Sequence, residues 1–188
     1  MGVELAAARA MLDEEHQKLQ SSRDQNDYTL GNIGEHNIVM AVLPETGSNR
    51  AATTLTQLLN DFSSIRFGLL VGIGGGVPSE RNDIRLGDVV VSKPTDTFGG
   101  VVQFDRGRKL TGNENFEQVG TLNKPPAVLA TAVNRLESEY LMKDSEISRY
   151  LSNIWKKYPK MRKSFAYPRV KDQLFHVTYK HEGDCCRK

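Results

Sequence analysis

Residues 67–94 read FGLLVGIGGGVPSERNDIRLGDVVVSKP: an apolar run enters four glycines within five positions and reaches a second apolar run without a helix signal between. A continuous apolar run of this length fits a strand covered on both faces, as in the interior of a parallel sheet. Gly72, Gly74, Gly75 and Gly76 lack Cβ atoms, so the backbone there can take positive φ and a ligand can lie directly against its amides. The carboxyl edge of an open α/β sheet is where small molecules bind. A tight connection that merely needs glycine is the competing reading, and glycine count does not separate the two. Two phosphate-binding patterns fail. No Gly-Lys-Ser/Thr follows, as a P-loop requires, and the dinucleotide fingerprint is broken because its third glycine position falls on Val77, with Pro78 next.

The bulk of the chain bounds the answer. At 188 residues, 38% hydrophobic and 26% charged, it reads as a single domain spanning 1–188. Twenty-five basic against 23 acidic residues leave a net charge of +2, which gives no field arguing for nucleic acid or an anionic membrane. A small molecule or a protein is the expected partner. No stretch approaches the roughly 20 apolar residues that span a bilayer, and MGVELAAARAMLDEE has acids where a secretory signal is basic, so the expected address is cytoplasmic. Cys185 and Cys186 are adjacent and staple nothing. With His176 and His181 they invite a zinc reading, but the spacing departs from that of structural zinc sites, and no metal is expected. The run KKYPKMRK, residues 156–163, lacks the glycine-aromatic signature of a nucleic-acid module and reads as a solvated helix end.

Outward from the glycines, the pattern predicts a first helix over residues 3–20, with Leu5, Ala8, Met11, Leu12 and Leu19 near helical spacing. Residues 28–33 and 37–43 read as a hairpin around Gly34-Glu35-His36. Ser48 or Asn49 is the expected cap of a second helix carrying Ala51, Ala52, Leu55, Leu58 and Leu59 toward a sheet. Strands are predicted over 67–73, 86–92 and 101–104. Helices follow Pro125-Pro126, one with Val128, Leu129, Ala132, Val133 and Leu136 on a face and another over residues 145–158. Residues 159–188 are basic and aperiodic, apart from a short strand at Phe175-His176-Val177. Alternating strands and helices indicate an α/β sandwich.

LLVGIGGGVP, then LGDVVVSKP, preceded by TGSNRAATTL and by VELAAARAML, closely resembles the nucleoside phosphorylase superfamily from residue 3 to about residue 182. The nearest branch looks like the fungal phosphorylase-like domains, which are similar to methylthioadenosine/S-adenosylhomocysteine nucleosidases. The resemblance implies a three-layer sandwich with a mixed central sheet flanked by helices, incomplete at both ends. It implies binding of a purine nucleoside and cleavage of its N-glycosidic bond. Gly72, Ile73, Gly74, Gly75 and Gly76 are implied as the pocket floor beside ribose and nucleophile, and Glu4 as the carboxylate that orients an attacking water. Helix-first-turn acids are ordinary by themselves, since the macrodipole favours them. Gln103 and Phe104, with Asp105, are implied as contacts to ligand or to a neighbouring subunit.

Phosphorolysis needs donors around an anion. Phosphorylase members place an Arg before the glycine loop and a Ser within it, and this chain has Leu70 and Ile73 there, so hydrolysis is the expected reaction and phosphate a lesser co-substrate candidate. Gly2 and Arg50 are the remaining candidates for a phosphate or water site, and Arg50 also reads as a solvated surface arginine. The family's Met-Glu pair on the ribose hydroxyls and its Ser-Asp or Cys-Asp acid have no counterpart in these residues, so the C-terminal third of the fold is expected to be missing. Loss of leaving-group protonation alone forfeits about 10²–10⁴ in rate. An alternative therefore stands beside the enzyme: a non-catalytic nucleoside-sensing or protein-interaction module, fused in longer relatives to NTPase and repeat domains. Homo-oligomers are common in the family and are expected here.

Overall fold

In a computed structural model of the chain, the described residues are 2–18, 26–80, 82–95, 97–109, 116–167, 170, 174 and 178. The strand expected at 175–177, the four zinc candidates and Leu19 lie outside them.

Helix α1 (Gly2–Ala10) is half the length predicted. It closes with Met11 N–H to Ala8 O and Leu12 N–H to Arg9 O, both 3.1 Å, the tightened last turn that satisfies terminal carbonyls. The chain then turns into a strand. Strand β1 (Glu14–Glu15) adds antiparallel to β2 (Tyr28–Ile33), which pairs with β3 (His36–Ala41) in the order β1-β2-β3. Asp13 N–H to Asn32 O (3.0 Å) and His16 N–H to Leu30 O (2.8 Å) extend that pairing, so sheet hydrogen bonding overrides the helix propensity of residues 11–18. The hairpin forms where predicted, but His36 pairs with Ile33 and the second strand ends at Ala41, so the turn is two residues, Gly34 at φ +56° and Glu35. Gly31 is required for a different reason: a Cβ there would sit 2.7 Å from the Leu12 side chain and 2.5 Å from Glu14 O.

Helix α2 (Ser48–Asp61) starts at Gly47, with Ala51 N–H bonding Gly47 O at 3.0 Å. No side chain caps it, so the expected Ser48 or Asn49 cap is not formed. Its buried residue is Thr54, while Leu55 and Leu59 are exposed, so the face turned inward is rotated from the leucine stripe. Tyr28 meets Phe62, just past α2, edge to face at 5.2 Å, and Asn26 Nδ2 donates to both Tyr28 Oη and Gln57 Oε1. Ala10, Leu12, Tyr28 and Thr54 form the core.

Past residue 66 the pattern changes. The predicted strands 67–73, 86–92 and 101–104 pair with no strand among the described residues, and Leu70 is 100% exposed. A strand of the all-apolar kind gains from its ladder only when both faces are covered, and no described element covers these. The pairing found downstream is instead a short antiparallel ribbon, β4 (Gly107–Lys109) with β5 (Phe116–Gln118), in segments that carry little apolar alternation. Helices α3 (Ala127–Met142), α4 (Ile147–Lys157) and α5 (Pro159–Phe165) follow. The first two match the expected positions; α5 falls in the stretch read as aperiodic, started by Pro159 in its first turn. Lys157 Nζ, near the end of α4, returns to Leu12 O at 3.0 Å.

Candidate functional site

The residues singled out from sequence fall into three places. The first joins α1 to the glycine loop. Glu4, in the first turn of α1, accepts the Ile73 N–H on Oε1 at 3.1 Å, across a separation of 69 residues. A Cβ on Gly72 would sit 3.2 Å from the same oxygen, so that position keeps the carboxylate close to the backbone. The chain's α-amino group, hydrogen-bonded to the carboxylate, together with the Ile73 amide, holds the Glu4 carboxyl below its ordinary value of 4.5. Glu4 is partly exposed and ionised at neutral pH.

The loop is open. Cβ atoms built on Gly74 and Gly75 meet nothing within 4 Å, while one on Gly76 would collide with the Ile84 side chain at 2.7 Å. None of the four glycines takes positive φ, so the expectation that they serve unusual backbone angles is corrected. Their use is spatial: Gly72 admits a carboxylate, Gly76 admits Ile84, and Gly74 and Gly75 leave peptide uncovered. Leu69, Val71, Ile73 and Val77 are each 70% exposed or more. The expected floor of a covered pocket is thus an exposed segment fastened at one point by Glu4.

Gln103 belongs to a second place. It lines a hollow of about 330 Å³ formed from residues 98–106 and 118–122, which includes no residue of the glycine loop. Phe104 is 84% exposed and outside that lining. Sequence reasoning missed Arg106 and Gln118 here, because the ribbon β4–β5 that brings them to the hollow has no strong strand signal. The third place is Arg50, whose Nε bonds Glu45 Oε1 on the surface, the solvated reading. Gly2 begins α1, two residues before Glu4, and a Cβ built on it meets nothing within 4 Å. The structure therefore unites Glu4 with Gly72 and Ile73 and leaves Gln103 and Arg50 in other places. Among the described residues, no group of three or more metal-ligating side chains is assembled, and no helix is long and apolar enough to cross a membrane.

No family model and no solved structure matches the chain. One relative does: a protein of Hyaloscypha variabilis described as a nucleotide-binding leucine-rich repeat (NLR)-like protein, 52% identical over 137 residues. The match takes in 72% of this chain and 14% of that protein. The chain is thus similar, over most of its length, to a small segment of a long fungal NLR-like protein.

Proposed function

We propose that this chain is a recognition domain of a fungal multidomain NLR-like signalling protein, acting in the cytoplasm and performing no chemistry of its own. The observation that carries the reading is the 52% identity to a segment that makes up 14% of such a protein. The site supports recognition over catalysis on physical grounds. A general base must be free to reach an attacking water, whereas Glu4 already accepts the Ile73 amide on Oε1. Its role in this reading is to fasten the glycine loop.

The ligand we propose at that loop is a purine nucleoside, on the resemblance of LLVGIGGGVP and LGDVVVSKP to the nucleoside phosphorylase superfamily and on the uncovered peptide at Gly74 and Gly75. In the longer protein, residues 67–73 and 86–92 would be interior strands of a three-layer sandwich, covered by further polypeptide. Exposed Leu69, Leu70, Val71, Val89 and Val90 support such covering, since burial of apolar area is favourable by about 25 cal/mol per Å².

The test is a titration of the purified chain with adenosine and with methylthioadenosine, read by amide chemical shifts and by chromatography of free adenine, with and without phosphate. The reading expects shifts centred on residues 72–76 and no adenine. Adenine release contradicts it, and release that needs phosphate also overturns the argument from Leu70 and Ile73. Absence of shifts removes the nucleoside and leaves recognition of a protein.

A further inference from the structure

The hollow lined from residues 98–106 and 118–122 is held by several cross-links. Gln118 Nε2 donates to Gln103 O at 2.8 Å and Val119 N–H to Arg106 O at 3.2 Å, and the β4–β5 ladder adjoins these bonds in sequence. Gly99 is buried against this frame: a Cβ there would sit 2.6 Å from Leu122 O. Phe98, Val101, Val102 and Leu122 supply an apolar wall. Arg106 lines the same hollow. Among the described residues, Arg9, Arg50, Arg85, Arg108, Arg135 and Arg149 each reach a carboxylate, whereas Arg66, Arg106 and Arg162 do not, and of these three it is Arg106 that lines the hollow. Gly120, at φ +81°, puts no side chain beside the guanidinium, where a Cβ would stand 3.9 Å from Arg106 Cζ.

We propose that this hollow is a binding site for a small organic carboxylate with an apolar body, its carboxylate on Arg106 and its hydrocarbon against Phe98, Val101 and Leu122. The volume, about 330 Å³, is at the small end of ligand pockets and suits a single ring with a short acid chain. A guanidinium fork matches a carboxylate bidentately, and the apolar wall distinguishes this ligand from a bare inorganic anion. The inference does not depend on the nucleoside reading, since no residue of the glycine loop lines the hollow.

The test uses 3-phenylpropionate, its neutral isostere 3-phenylpropionamide, and acetate, each titrated into the whole chain by NMR up to about 10 mM. The expected dissociation constant for 3-phenylpropionate is about 1 mM, ordinary for a ligand of this size, with shifts confined to residues 98–122. The amide and acetate should each bind at least about 10-fold more weakly, one lacking the charge and the other the apolar body. Arg106→Gln should weaken 3-phenylpropionate by about 10-fold, and Arg108→Gln, whose guanidinium already pairs with Glu117, by less than about 2-fold. Equal binding of acid and amide, shifts elsewhere, or no binding at about 10 mM overturns the proposal, and these arms need no variant to fold.

Discussion

Residues 28–41 and residues 67–92 carry the same kinds of side chain, yet the first stretch is a hydrogen-bonded sheet and the second has no ladder. The hairpin needs only a two-residue turn to bring its partners together, so its pairing is local. The second stretch has a strand's composition without a nearby partner: the segments before and after it are a helix and a glycine-rich connection. The Ile73 amide in this stretch donates to the Glu4 carboxylate of α1. The difference teaches that an all-apolar run states a demand for cover on two faces, and that only tertiary or intermolecular contacts meet that demand.

The largest effect that would sharpen this contrast is truncation at matched apolar positions. Tyr28→Ala removes the buried ring that meets Phe62 and should lower stability by roughly 3–5 kcal/mol in a denaturant titration, whereas Leu70→Ala, at a fully exposed position, should change it by less than about 0.5 kcal/mol. A comparable loss at both positions would mean that residue 70 is buried in solution. Next in size, Gly31→Val drives a side chain into Leu12 and Glu14 O and should cost roughly 1–3 kcal/mol, with loss of the β1–β2 pairing seen in amide shifts.

The tether comes third. Because the Glu4 carboxyl titrates lower in the folded chain than its ordinary value of 4.5, its contribution is present above that value and lost as pH falls through the depressed one. Slowed exchange of the Ile73 amide should therefore persist at pH 6 and fade under strong acid, and Glu4→Ala should abolish it at every pH. Smallest of all, Lys93→Ala breaks an exposed pair with Glu137 at 2.7 Å and should alter stability by no more than about 1 kcal/mol, diminishing in salt.

Much of the first region was legible in sequence. The hairpin announced itself through strand formers flanking Gly34-Glu35-His36, and α2 through its start after Gly47, though its inward face carries Thr54 with half-buried Ala51 and Leu58 and leaves Leu55 and Leu59 exposed. The end of α1 was not legible, because residues 11–18 favour helix locally and are claimed by the edge of β2. Of the candidate site, Glu4 and residues 72–76 were each singled out through the family resemblance and not through periodicity, while the hydrogen bond from the Ile73 amide to Glu4 was not foreseen. Arg106 and Gln118 were invisible because their proximity depends on β4–β5, a ribbon of three residues per strand. Residues 67–73 and 86–92 are apolar as read but unpaired among the described residues, since composition reports what a segment would gain from cover and not whether cover is present.

Residue-resolved hydrogen exchange on the isolated chain tests the central claim most directly, because protection measures the opening of each backbone hydrogen bond. Slow exchange is predicted at the hydrogen-bonded amides of residues 28–33 and 36–41, and exchange near the unprotected rate through residues 67–77 and 89–92, Ile73 excepted. Protection of residues 67–72 equal to that of the hairpin would contradict it, for those amides would then already have partners and the segment would not be open to a ligand or to the rest of a longer protein.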